Sequence, residues 1–219
     1  MKRVVRLLVL AAFLSAPSTV LASGEVGIYV APKFIFGYLS GYSYSNTVEF
    51  DGDNVFGAAL ALGFDLGKNK NINLPVRLEL EYAMLSEAKN KYNGNLDTAY
   101  YYFLGGIKTS ANTFFVNAYY DIRTGSALTP YLGFGLGMAF LDLKGYGYSF
   151  DELKSSETNF AWNVSIGAAY AIAGSPISID FGYRFVSLGS APPPTGYSWV
   201  GSGDTLYVHQ MVLGMRYTF

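Results

Sequence analysis

Along most of the chain, large apolar residues recur at every second position, with small or polar residues between them. Over Thr205–Phe219 one face carries Tyr207, His209, Met211, Leu213, Met215, Tyr217 and Phe219, and the other Val208, Gln210, Val212, Gly214, Arg216 and Thr218. A period of two belongs to an extended strand and not to a helix. The same split runs through Ile28–Tyr38, Phe56–Leu66, Val76–Tyr82, Thr113–Ile122, Tyr131–Phe140, Phe160–Ile172 and Ile177–Phe185. In Tyr131–Phe140, for example, Leu132, Phe134, Leu136 and Met138 stand against Gly133, Gly135 and Gly137. A tilted strand needs roughly ten residues to cross a bilayer, and an even number of strands closes a ring with both termini on one side. The pattern predicts an all-β protein: an eight-stranded antiparallel transmembrane β-barrel wound as an up-and-down meander.

The connections alternate as well. Gly67–Asn73, Arg123–Leu128 and Gly174–Ser175 are short, whereas 39–54, 86–110, 143–158 and 188–204 are long and polar. Such barrels have short periplasmic turns and longer extracellular loops. The expectation is therefore short periplasmic turns, four long extracellular loops and periplasmic termini.

Composition agrees with a protein whose surface does not face water. Of 219 residues, 51% are hydrophobic and 17% aromatic, but only 14% are charged, against about 25% in ordinary soluble domains. After the N-terminus no apolar run approaches the roughly 18–20 residues of a spanning helix. A closed barrel is the remaining way to pair every backbone group inside lipid. The chain has no cysteine, so disulfide and thiolate chemistry are excluded. A formal net charge of −1 gives no electrostatic argument for nucleic acid.

The first residues read as an export address. Lys2, Arg3 and Arg6 precede an apolar run from Leu7 to Leu14, and Val20 and Ala22 fit the small-residue positions of a cleavage site before Ser23. This predicts a cleaved signal peptide over 1–22 and a barrel domain over 23–219. Cleavage would remove those three cations, taking the formal charge from −1 to −4.

Strand phase sorts the charges. Lys33, Asp65, Arg77, Glu79, Glu81, Asp121, Asp180, Arg184 and Arg216 all fall on the side opposite the apolar belt. On the lipid side, Arg or Lys at mid-depth would cost about 2–4 kcal/mol. An eight-stranded barrel is only wide enough for its own side chains. These residues are expected to form a polar lumen network, with Gly133, Gly135 and Gly137 making room for bulky neighbours such as arginines and tyrosines. Glu79 and Glu81, at i and i+2, have the spacing of an acid–base pair or cation site. Arg77 beside them favours ion pairing with arginines. The single histidine, His209, lies outward near the loop end of the last strand, with Ser187 as the nearest candidate nucleophile, but no carboxylate completes a triad. An interfacial histidine among aromatics is the simpler reading. No catalytic, cofactor or metal residue is assigned, and the chain is read as a non-enzyme.

Several motifs carry a family resemblance. Asn117-Ala118-Tyr119-Tyr120-Asp121, Leu128-Thr129-Pro130-Tyr131-Leu132-Gly133-Phe134-Gly135-Leu136-Gly137, Asp180-Phe181-Gly182-Tyr183-Arg184 and the ending Gly214-Met215-Arg216-Tyr217-Thr218-Phe219 resemble the opacity-protein and neisserial surface-protein group of small outer-membrane barrels, as does Arg77-Leu78-Glu79-Leu80-Glu81-Tyr82. The resemblance implies residence in the outer membrane of a Gram-negative bacterium, an eight-stranded barrel and, in some members, loops that bind a host receptor or glycan. Tyr217 and Phe219 resemble the C-terminal signal read by the outer-membrane assembly machinery. Expected partners are thus the lipid bilayer, that machinery and a host-cell receptor or glycan, with no nucleic acid. Candidate recognition residues in the loops are Tyr42, Tyr44, Tyr92, Tyr146, Tyr148, Tyr197 and Trp199, aromatic anchors among Ser, Asn and Gly. A narrow porin-like channel and a lipid-modifying enzyme are the alternative functions.

Overall fold

The computed structural model describes residues 27–44, 48–68, 72–91, 106–147, 150–191 and 204–219. The expected signal peptide, Tyr92, Tyr148, Tyr197 and Trp199 lie outside them. Eight long strands make the wall: β1 (Ile28–Leu39), β4 (Asp53–Asp65), β5 (Val76–Leu85), β7 (Gly106–Asp121), β8 (Leu128–Gly147), β9 (Phe150–Ala171), β10 (Ile177–Ser190) and β11 (Thr205–Thr218). Three short strands lie toward the loop end: β2 (Tyr42–Tyr44), β3 (Val48–Phe50) and β6 (Ala88–Asn90), the last continuing β5 along β7.

Each of the eight wall strands pairs antiparallel with the wall strands before and after it, β5 thus pairing with β7, β2 and β3 form a separate hairpin, and β1 pairs with β11 from Tyr29↔Thr218 to Leu39↔Val208. The ring is closed, so each spanning strand has a partner on both sides, with the β1–β11 ladder interrupted at Ala31 and Pro32, whose ring nitrogen has no hydrogen to donate. Turns of a few residues join the strands at the end holding both termini. Gly125 and Gly174 adopt φ of +71° there with nothing near the position of a Cβ, so backbone freedom alone accounts for glycine at these turns.

The outer wall is apolar. Phe34 and Phe160 are 73% and 65% exposed, and Leu132, Ile166, Leu213 and many others share that surface. Patches of this extent are tolerable only against lipid.

Strand replaces part of the expected loops, and β2 and β3 lie within the 39–54 connection. The 143–158 connection is a continuation of the wall: β8 runs 20 residues and β9 22, paired from Leu128↔Tyr170 to Gly147↔Phe150. Since about ten residues suffice to cross, roughly half of each strand stands beyond the apolar belt as a ribbon. Its outward positions are Asp142, Lys144, Lys154, Ser156 and Thr158, which read as loop because neither lipid nor core demands apolar side chains there. The 86–110 connection likewise contains β6 and the start of β7.

Candidate functional site

At the end holding the termini the inward side of every wall strand except β9 carries charged or tyrosyl residues. Glu81 is fully buried; its carboxylate accepts from Lys33 Nζ at 2.6 Å and from Arg184 Nη1 at 2.5 Å. Lys33 also bonds Glu79, which accepts from Tyr29 Oη at 3.0 Å and Tyr119 Oη at 3.4 Å. Arg184 donates its Nε–H to Gln210 at 2.9 Å. Closer to the turns, Arg77 Nε contacts both Asp121 oxygens at 2.8 and 3.0 Å, and its guanidinium lies 4.8 and 5.0 Å from the ring centres of Tyr119 and Tyr131. Asp180 Oδ1 stands 3.9 Å from Arg77 and 3.7 Å from Arg216, and Arg216 sits over the Tyr29 ring at 5.3 Å. Asp65 stands apart from these contacts, accepting from the Gly67 N–H at 2.9 Å and so closing the β4–β5 turn. In that turn, partial burial holds Lys68 below the ordinary lysine pKa, and its ammonium donates to Thr218 Oγ1 at 3.2 Å.

The structure thus brings eight of the nine predicted lumen residues into one set of contacts. It corrects two details. Glu79 is met by a lysine and two tyrosines rather than by arginines, because Lys33 reaches it from β1 across the lumen. The glycines make room for tyrosine, asparagine and phenylalanine rather than for arginine. A Cβ at Gly133 would strike Tyr119 and Ser165, one at Gly135 would strike Asn117 and Asn163, and one at Gly137 would approach Phe115 at 2.8 Å. The cleared space lets Asn163 Nδ2 donate to Asn117 Oδ1 at 2.9 Å.

A cavity of about 30 Å³ remains among Lys33, Arg77, Ser165, Asp180 and Arg184. Ser165 Oγ, Asp180 Oδ1 and Arg77 Nη2 make no hydrogen bond among the described residues. A polar space of this size admits one or two waters.

Further toward the loop end the inward residues change character. Ile35, Leu39, Val55, Phe115, Leu141, Leu143, Val186, Leu188, Leu206 and Val208, with alanines 59, 83, 111, 139 and 161, form one buried apolar cluster. No charged residue belongs to it. The readable signal is that the inward phase of β8 and β10 continues as Leu141, Leu143, Val186 and Leu188.

His209 lies on the outer face. It pairs in register with Phe185, and its Nδ1 is 2.6 Å from Tyr183 Oη; Phe185 also stacks on Tyr207 at 5.3 Å. Ser187 pairs instead with Tyr207, so the neighbour expected for His209 from sequence is replaced by a phenol. A histidine and aromatics together at this height form an interfacial belt.

At the rim, Asn159 Nδ2 donates to the carbonyls of Leu188 and Ser190 at 3.2 and 2.7 Å. This stands in for the β9–β10 ladder, whose last pair is Trp162↔Ser187. Gly189, at φ +77°, packs its α-carbon where a Cβ would meet Asn159. Of the loop aromatics, Tyr42 lies in β2 and Tyr44 ends it, while Tyr146 pairs with Gly106 in the ribbon. At the other end Phe219 donates its N–H to Ile28 O at 2.9 Å, with its ring 5.1 Å from that of Tyr217.

Comparison with known proteins agrees with this geometry. A family model described as outer membrane protein beta-barrel domain matches residues 7–219. Outer membrane protein PagN of Salmonella typhimurium is 28% identical over 227 residues, covering 90% of this chain and 92% of the relative. Neisserial surface protein A superposes with a TM-score of 0.55 at 19% identity, over 88% of this chain and 97% of that one. Ail, the attachment invasion locus protein of Yersinia pestis, does so at 0.50 and 13%, over 89% and 99%.

Proposed function

The chain belongs to the outer membrane protein beta-barrel domain family and resides in the outer membrane of a Gram-negative bacterium, and on that premise we propose that it is a plugged barrel whose work is done by its loop end. The observation that carries this reading is the packing of the inward side chains. An ion-pair layer and an apolar layer succeed one another along the axis, with a cavity of about 30 Å³ beside the ion pairs. Ions crossing this path would have to dislodge both layers. The short turns face the periplasm and the ribbon faces outward, the usual sense of such barrels.

A wall that rises beyond the lipid presents loops to other surfaces, and the role is binding of a host receptor or glycan; Ail, which shares the fold, is named an attachment invasion locus protein. Tyr42, Tyr44, Tyr92, Tyr146, Tyr148, Tyr197 and Trp199 are the aromatic anchors proposed for it. Bacteria displaying the protein are expected to gain binding to cultured host cells and to lose it when 192–203 is shortened to a tight turn. Equal adhesion by both strains would refute the role.

The channel alternative predicts conductance in planar bilayers, where the plugged barrel predicts none above background. For the enzyme alternative, His209→Ala is expected to leave the lipopolysaccharide acyl profile unchanged, since the histidine is engaged by Tyr183. Tyr217 and Phe219 are proposed as the pair read by the assembly machinery, and 1–22 as the export signal removed on the way. Mass spectrometry of the exported protein should find Ser23 as its first residue.

A further inference from the structure

β9 brings only small inward residues to the charged layer. In register, its Ser165 stands between Gly133 of β8 and Arg184 of β10, its Gly167 opposite Gly182, and its Ala169 opposite Asp180. On the far side of Asp180 lies another residue without a side chain, Gly214 of β11. The cavity of about 30 Å³ sits against this side of the bore, lined by Ser165, Gly182 and Gly214 together with Lys33, Arg77 and Asp180. Arg77 is 3% exposed, yet its Nη2 has no hydrogen-bond partner, and neither have Ser165 Oγ and Asp180 Oδ1. The ion pairs here are also long, 3.9 Å from Arg77 to Asp180 Oδ1 and 3.7 Å from Arg216. Polar contacts stretched past about 3.5 Å are commonly completed by water, and buried polar atoms are costly unless something meets them.

The unpartnered atoms fix the chemistry of what meets them. Arg77 Nη2 can only donate, the Asp180 carboxylate only accepts, and Ser165 Oγ does either. A halide accepts without donating, and a metal cation would repel the guanidinium, so each would leave one of the groups unserved. Charge gives the same answer. Lys33, Arg77, Arg184 and Arg216 balance Glu79, Glu81, Asp121 and Asp180, and an ion added to this buried set would stand uncompensated. Water donates and accepts, carries no charge, and fits the space. We propose that the plug holds a permanent hydration site, in which water accepts from Arg77 Nη2, donates to Asp180 Oδ1 and bonds Ser165 Oγ. It takes the place of the side chain that β9 lacks and links β5, β9 and β10 across the bore. The proposal rests on the reading of a plugged barrel, which bilayer conductance tests by itself.

The test follows water directly in full-length mature protein refolded into lipid nanodiscs. In wild type, nuclear Overhauser spectra should show cross-peaks from water to the amide protons of Gly182 and Gly214, with the sign of water that tumbles with the barrel. Gly214→Ala should abolish them. A Cβ there approaches only the Lys33 side chain at 3.3 Å, Asp180 Cβ at 3.7 Å and the Pro32 carbonyl at 3.7 Å, so the methyl group enters the cavity without forcing the wall. The same variant separates a wet site from a dry one. Filling a dry cavity, and removing a glycine from a strand, would raise stability. Displacing a bonded water leaves Arg77 and Asp180 unmet, and a lower urea midpoint in lipid vesicles is the expected result. Absence of the cross-peaks in wild type, their persistence in Gly214→Ala, or an unchanged or higher midpoint for that variant overturns the proposal. So does a wild-type midpoint that moves when sodium chloride is replaced by sodium gluconate while that of Gly214→Ala does not, which would assign the site to a halide. Heat-dependent migration on gels reports separately whether each protein has folded.

Discussion

The two halves of the lumen solve the same packing problem with opposite chemistries. Near the termini, Lys33, Arg77, Glu79, Glu81, Asp121, Asp180, Arg184 and Arg216 fill the bore with paired charge and tyrosine. Toward the loops, leucine, isoleucine, valine, alanine and phenylalanine fill it as they would a soluble core. The charged half is specified by partner and distance. The apolar half is specified by volume. A buried ion pair costs desolvation that its attraction barely repays, whereas breaking one strands a charge. The polar half should therefore be the more brittle of the two, and the apolar half the larger source of net stability.

Single substitutions can break that contrast. The largest effect is expected from Glu81→Ala, which leaves Arg184 and Lys33 facing each other in a buried site. It should cost about 4 kcal/mol in urea unfolding from lipid vesicles, and a loss below 1 would mean that the network is loosely held. Leu141→Ala, fully buried in the apolar half, should cost about 3 kcal/mol by the same measurement. Gly135→Ala drives a methyl group into Asn117 and Asn163 and should cost about 2 kcal/mol as an overpacking change. Least of all, Asn159→Ala gives up two carbonyl contacts at the rim for about 1 kcal/mol. If its hydrogen exchange quickens at Leu188–Ser190 while the polar half is unchanged, the two ends are mechanically independent.

The contrast also marks how far the sequence could be read. Strand phase was legible because lipid punishes any polar outward residue, so the side on which Arg77 or Asp180 falls follows from its neighbours. The identity of the partners was not. Lys33 on β1 meets Glu79 and Glu81 on β5 with β4 between them, and such contacts reach across the bore rather than along a ladder. The apolar half was hidden for a different reason. Leucines at inward positions 141, 143 and 188 look the same as leucines against lipid unless the strand phase of β8 and β10 is carried past Phe140 and Phe185, where the sequence reading ends those strands. The ribbon was hidden because, beyond the membrane, Asp142, Lys144 and Lys154 face water on strands whose alternation no longer serves a lipid belt. For His209 the sequence supplied the outward face but not the cross-strand partner, since Tyr183 lies diagonally from it rather than opposite.

The seam between β1 and β11 carries a further consequence. It joins residues almost a full chain apart, with Phe219 bonded to the carbonyl of Ile28. Loop-closure entropy makes such a union the last and slowest event of folding. Until it forms, two long unpaired edges with apolar faces are open to other chains, the condition under which sheets aggregate. The molecule is therefore most vulnerable when it is almost complete, and a catalyst of insertion acting on it would do most by holding those two edges apart from all others until they meet.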